Sequence, residues 1–219
     1  MFPSVGRLRP GANGLVGLGG DLRPDTLIEA YRKGIFPWDG RQPIPWYSPD
    51  PRMVLRPDAL KISRSLRKLD RQGHLRVTVD TVFSEVMRRC ASTPRPGQEG
   101  TWITPTMIRA YSTLHQRGIA HSIEVWEAGA LVGGLYGLAM GAIFYGESMF
   151  HSRRDASKLA LLHLCRLLSR WDFDLIDCQQ ETPHLASLGA QPITRAQFYT
   201  HLAASQAGPE RWGGSEAPD

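Results

Sequence analysis

The sequence predicts a mixed α/β protein, in which a small N-terminal segment of helix and loop precedes a sheet flanked by helices from about residue 52 onward. Three observations lead there. Residues 120–126, 130–138 and 142–150 read as consecutive strands. A long helical pattern, Asp155 to Arg170, and a short apolar run, Leu175 to Cys178, follow them. Residues 37–51 carry five prolines, which sets an irregular lead apart from the periodic remainder.

The elements follow in chain order. The first 22 residues are glycine-rich, and the run Gly14 to Gly20 imitates a dinucleotide-binding loop. No strand is apparent before it, and Pro24 and Asp25 open a helix after it, so it reads as a structural turn. Pro24 to Lys33 is a short helix with Leu27, Ile28 and Tyr31 on one face and Gly34 as its stop. The prolines after it forbid regular structure, and the aromatics among them call for burial or a ligand. Met53 to Leu55 is a strand, and Ile62 to Gln72 is a helix stopped by Gly73. On that helix Arg64, Arg67, Lys68 and Arg71 recur at i, i+3, i+4 and i+7 and form one basic stripe. Leu75 to Val79 is a strand, Val82 to Cys90 a helix, and residues 92–100 a Pro/Gly loop. Thr104-Pro105 opens a helix reaching about Arg117, because proline suits a first helical turn. The three strands, the long helix and the short strand come next, then helical pieces near 183–188 and 194–202 and a loose tail from Ser205 to Asp219. The division expected is 1–52, 53–204 and 205–219.

Composition narrows the class. The 219 residues are 42% hydrophobic and 21% charged, as in ordinary globular chains, which argues against disorder. A net charge of +5 and a pI of about 9.4 point toward a polyanionic partner. The cysteines Cys90, Cys165 and Cys178 form no C-x-x-C pair, so neither a disulfide scaffold nor a structural zinc site is indicated, and a reducing compartment fits. No basic leader with an apolar core opens the chain, so no signal peptide is expected. Ala128 to Gly146 is uncharged and nearly long enough to span a membrane. Six glycines interrupt it and Glu127 and Glu147 bound it, so it reads as two buried strands joined by a tight turn.

Three segments carry candidate chemistry: Phe144 to Phe150 with Glu147, Ser152 to Lys158 at a helix start, and Leu175 to Gln179 with Asp177. A carboxylate set in an apolar strand must be solvated, paired or functional. The segments GIFPW (34–38), WYSPDPR (46–52), GTWIT (100–104), AHSIEVW (120–126), LVGGLYG (131–137), GESMF (146–150), ASKLALL (156–162), LIDCQ (175–179) and ASLGA (186–190) run in one order. Together they closely resemble the bacterial leucyl/phenylalanyl-tRNA–protein transferases over about residues 2–200.

That resemblance implies an enzyme that takes Leu or Phe, and sometimes Met, from its tRNA. It attaches the residue to proteins beginning with Arg or Lys and so marks them for N-degron proteolysis. It implies an acetyltransferase-like (GNAT-like) larger domain behind a small N-terminal one, and a cytoplasmic protein. The chemistry asks little of the protein, since the aminoacyl ester is already activated and the attacker is an α-amine with a pKa of roughly 7.7–8.0. No metal, nucleotide or other cofactor is needed, and neither is a covalent nucleophile. By the same resemblance Asp177 and Gln179 match the catalytic positions and, two apart on a strand, should share a face. Either Asp177 is the base of a proton relay, or a ribose hydroxyl shuttles the proton while the pair orients the acceptor. Glu147 should bind an amino group of the donor or of the acceptor. Leu135, Phe144, Met149, Leu161, Leu164 and Ile176 should line the donor side-chain pocket. Leu164 stands where some members carry an aromatic, which bears on the balance of Leu against Phe. Trp38, Trp102 and Tyr111 match positions near the terminal adenosine, where aromatics stack on a base. The stripe Arg64, Arg67, Lys68 and Arg71 becomes a tRNA backbone contact. Arg153 and Arg154 are candidates to assist, with Arg154 alternatively paired to Asp155 or Asp177.

Two other classes compete. An acyl-CoA-dependent N-acetyltransferase would need a glycine-containing pyrophosphate loop, and residues 153–158 hold no glycine. An RNA-binding module with a decayed site would have no reason to keep Asp177, Gln179 and Glu147 together. No apolar coiled-coil or edge motif is evident, so a monomer is expected.

Overall fold

The computed structural model describes residues 2–3, 11, 13–94 and 101–213. Part of the expected loop at 92–100 and the last residues of the tail lie outside them. The mixed α/β class is what the elements build.

A small antiparallel sheet of order β1-β3-β2 comes first, made of Leu15–Leu18, Phe36–Pro37 and Pro45–Tyr47. This corrects two expectations, because the glycine run contributes a strand and the proline-rich stretch is not wholly irregular. A strand of two or three residues needs few backbone donors, and a proline carbonyl still accepts: Trp38 N donates to Pro45 O at 2.8 Å. Helix α1 (Pro24–Tyr31) follows β1 and starts at a proline.

The larger sheet has order β10-β4-β9-β8-β7-β6-β5. Its strands are β4 (Arg52–Leu55), β5 (Arg76–Val79), β6 (Ala120–Glu127), β7 (Ala130–Met140), β8 (Ile143–His151), β9 (Leu175–Gln179) and β10 (Gln191–Ile193). The expected division at 52 falls on the first residue of β4. The uncharged stretch that imitates a membrane span forms the β7–β8 hairpin, turning at Gly141, whose φ is +57°. Among the described residues no helix is long and apolar enough to cross a membrane.

Helix α2 (Arg64–Gln72) is capped by Ser63, which accepts from Leu66 N, and ends at Gly73 in the left-handed region. Helices α3 (Phe83–Ser92) and α4 (Pro105–Gln116) precede β6, α5 (Ala156–Arg170) links β8 to β9, and α6 (Pro183–Ser187) and α7 (Arg195–Ala207) flank β10. Period-two alternation sorts the sheet into two cores. Ile143, Tyr145 and Leu175 join α1, α3 and α4 on one face, and that core runs on into Phe36, Ile44 and Trp46 of the small sheet. Phe144 and Ile176 join α5 and α2 on the other face.

The expectation of a loose tail does not hold for its described part, residues 205–213. Helix α7 continues to Ala207, started by a Thr194–Gln197 capping box. Buried Ser205 Oγ accepts from Ala142 N at 2.7 Å, and Glu210 accepts from Gly141 N at 2.7 Å, so the tail clamps the β7–β8 turn. Trp212 then stacks on His121 with ring centroids 3.9 Å apart and meets Phe144 and Trp171. A lone tryptophan among polar residues gives no periodicity, so the anchor is illegible in the sequence. Trp212→Ala should lower folding stability by about 1–3 kcal/mol, less than a fully buried tryptophan would cost. The urea midpoint reads this, and a change under about 0.5 kcal/mol would make the stack incidental.

Candidate active site

The site lies where two neighbouring strands part. β8 and β9 run parallel, and only Ile143–Tyr145 pair with Leu175–Asp177. Beyond that point β8 bulges: Gly137 faces Gly146 and Tyr136 faces Ser148, which leaves Glu147 as the extra residue. A bulge re-aims one side chain without breaking the strand. Gly137 permits it, because a Cβ there would sit 2.2 Å from Tyr145 O and 2.5 Å from the Phe144 ring.

Glu147 points into a chain of hydrogen bonds. Tyr111 Oη donates to Tyr31 Oη at 2.6 Å, and Tyr31 Oη donates to Glu147 Oε1 at 2.6 Å. Gln179 Nε2 donates to the same Oε1 at 2.8 Å. Glu147 stays 9% exposed. Burial pushes its carboxyl up to about 7, and nearby Asp177 adds to this, while the bonds from Tyr31 and Gln179 and the charge of Arg52 oppose it. Burial also raises both tyrosines well above the usual phenol range, so they stay protonated donors.

Asp177 is closed off. Arg52 grips it bidentately, Nε to Oδ1 at 2.8 Å and Nη2 to Oδ2 at 2.6 Å, and Gln179 N adds a bond to Oδ1 at 2.9 Å. The Asp177 side chain is 0% exposed and that of Arg52 1%. The guanidinium also donates to Gly34 O at 3.0 Å and lies 4.9 Å from the Phe36 ring centroid and 4.5 Å from that of Phe198. GIFPW and WYSPDPR thus meet LIDCQ around one buried ion pair. Gln179 has φ +65°, and Gln180 N donates back to Cys178 O at 2.8 Å, a tight turn that strains a non-glycine residue. Asp177 and Gln179 both face the α1 side of the sheet, Asp177 reaching Arg52 and Gln179 reaching Glu147, while Ile176 and Cys178 face the α5 side.

The remaining candidates fall as follows. Leu135, Phe144, Leu161, Leu164 and Ile176 are buried in one cluster beneath α5, with Met149 half-buried against it. Trp38 is half-buried beside Phe36 and Tyr47, and Trp102 is half-buried against the core. Tyr111 is fully buried and touches Tyr136 edge-on, so its ring offers no open face for a base and it reaches the site only through its hydroxyl. Arg64, Arg67, Lys68 and Arg71 are all exposed on α2 opposite buried Leu66. Among the described residues none of the four lies in an ion pair. Arg154 is exposed, lies 3.9 Å from Asp155 and does not reach Asp177, while Arg153 pairs with Glu127 at 3.1 Å. Sequence reasoning missed Arg52 and placed Tyr31 only on a helix face. The one signal for Arg52 was indirect, in that a carboxylate set in an apolar strand needs a cation.

Asp80, His115 and His121 are the grouping with metal-ligand character among the described residues. Their atoms are already committed: His121 bridges Asp80 Oδ2 at 2.7 Å and Gly118 O at 3.1 Å, and His115 Nδ1 sits 2.8 Å from Ala120 O. The polar network at the β8–β9 split therefore remains the candidate site.

Glu147, re-aimed by a bulge at parting strands, thus stands on the α1 face of the sheet, with the apolar cluster beneath α5 on the other face. Residues 54–203 match the family model described as leucyl/phenylalanyl-tRNA protein transferase, and residues 20–50 match that family's N-terminal domain. A relative of that name from Thiobacillus denitrificans is 56% identical over 203 residues, 92% of this chain and 89% of its own length. One from Dechloromonas aromatica is 54% identical over 94% of this chain and 89% of its own. Among solved structures, a GCN5-related N-acetyltransferase from Kribbella flavida is similar over 75% of this chain and 58% of its own, at a TM-score of 0.40 and 11% identity. The chain is a transferase, and it belongs to the leucyl/phenylalanyl-tRNA protein transferase family.

Proposed function

We propose that this protein moves leucine or phenylalanine, with methionine a further donor, from aminoacyl-tRNA to the α-amine of proteins that begin with Arg or Lys, marking them for N-degron proteolysis. Family membership supports the reaction, and the observation that carries its location is the Glu147–Tyr31–Gln179 network at the β8–β9 split. Asp177, Gln179 and Glu147 are the site's polar residues. The apolar cluster of Leu135, Phe144, Met149, Leu161, Leu164 and Ile176 lies on the α5 face. A donor seated in the split turns its side chain toward α5 and its polar end toward Glu147. The terminal adenosine stacks on Trp38 or Trp102, and the acceptor stem lies against the stripe on α2. The enzyme acts as a cytoplasmic monomer with no cofactor.

The test uses non-hydrolysable amides of 3′-aminoadenosine with leucine, phenylalanine and valine. The leucyl and phenylalanyl compounds should bind at least about 10-fold tighter than the valyl one, because pocket shape rejects a β-branched side chain. Equal binding of all three, or their displacement by acetyl-CoA, would overturn the reading.

A further inference from the structure

Two carboxylates stand at the split, and their surroundings differ in kind. Both oxygens of Asp177 are occupied, by two arms of Arg52 and by Gln179 N, and no part of the residue meets solvent. A proton taken there would have to break a bidentate buried ion pair. Glu147 accepts from Tyr31 and Gln179 on Oε1, pairs with no cation among the described residues and keeps some exposure. Resting on the function proposed above, we infer that Glu147 takes the proton from the attacking α-amine, and that Asp177, locked to Arg52, is a positioning residue that holds Gln179 against Glu147.

The acceptor's α-ammonium gives one proton to Glu147 Oε2, and the freed lone pair forms the C–N bond at the ester carbonyl carbon. The carbonyl π pair moves onto oxygen, then returns as the bond to the ribose oxygen breaks. A second proton passes from the attacking nitrogen to that ribose oxygen, which leaves as a hydroxyl, and Glu147 gives its proton to water. Nothing is oxidised or reduced. Tyr111 and Tyr31 donate in series toward Oε1 and Gln179 donates from the other side, so the ionised carboxylate is held by three groups that do not titrate near neutrality. The charged groups facing it are Asp177 on β9, which disfavours ionisation, and Arg52 on β4, which favours it. Its carboxyl, held at about 7, suits exchange with an amine of pKa roughly 7.7–8.0 near pH 7.

The experiment measures single-turnover transfer of leucine from Leu-tRNA to a peptide beginning with Arg, from pH 5.5 to 9. The wild-type rate should rise through about 7 and level off above about 8, where the amine is already neutral. Glu147→Gln keeps the Tyr31 and Gln179 contacts. It should lower the rate at pH 7 by roughly 10²- to 10⁴-fold with tRNA affinity unchanged, and move the rising limb to about 8, where the amine is neutral unaided. Asp177→Asn should lower the rate but leave the rising limb near 7. A limb that stays near 7 in Glu147→Gln, or one that Asp177→Asn removes, overturns the assignment while the function stands. A wild-type protein that transfers nothing overturns the function and this assignment with it.

Discussion

Replacing Arg52 with methionine should lower folding stability by about 3–5 kcal/mol and the melting temperature by roughly 6–20 °C. The side chain is long and fully buried, and methionine approximates its stem while removing both arms that hold Asp177. The carboxylate is then left inside the protein without a counter-ion, which costs far more than the pair itself contributes. Gly34 O loses its donor in the same step, and the contacts to Phe36 and Phe198 lose their cation. The double replacement Arg52→Met with Asp177→Leu should recover most of that stability, because a buried ion pair is worth little over apolar packing. It should not recover transfer, since Gln179 N loses the Asp177 oxygen that fixes its strained turn. Chemical denaturation of the two variants against the wild type reads the first claim. A single-variant loss below about 1 kcal/mol would mean that the pair is not anchored as described.

Neutralising Arg64, Arg67, Lys68 and Arg71 together, each to glutamine, should weaken tRNA binding by about 10²-fold at low salt and flatten its salt dependence. Each phosphate contact contributes roughly 0.7–0.9 to the slope of log K against log salt, so losing four removes about 3. The four project from one face of α2, are exposed, and among the described residues form no ion pairs that would have to be broken first. The fold should tolerate the change, because Leu66 is the buried residue of α2 and Ser63 caps it. Binding titrations at 50 and 200 mM salt separate the outcomes, and an unchanged slope would take the stripe out of the interface.

Much of the scaffold was legible because its signals are local. Gly73 stops α2, Pro105 opens α4, and glycine at 141 turns the β7–β8 hairpin. The small sheet was hidden because two- and three-residue strands carry no periodicity and prolines argue against them. In the site, the acidic residues Asp177 and Glu147 and their neighbour Gln179 could be read, because carboxylates in apolar strands demand an explanation. Their partners could not. Arg52 lies 125 residues from Asp177 in the chain, and Tyr31 lies 116 from Glu147. Only the topology brings α1 and β4 to the split. Tyr111 shows the same limit, since an aromatic on a helix reads alike whether its ring faces a ligand or only its hydroxyl reaches one.

The central claim is that this chain moves an aminoacyl group from tRNA to a protein N-terminus. Its most direct test is the initial rate at which labelled leucine passes from Leu-tRNA to a protein beginning with Arg, set beside the same protein with its α-amine acetylated. Label should appear on the free N-terminus and not on the blocked one. Normal tRNA binding with no transfer to either would contradict it.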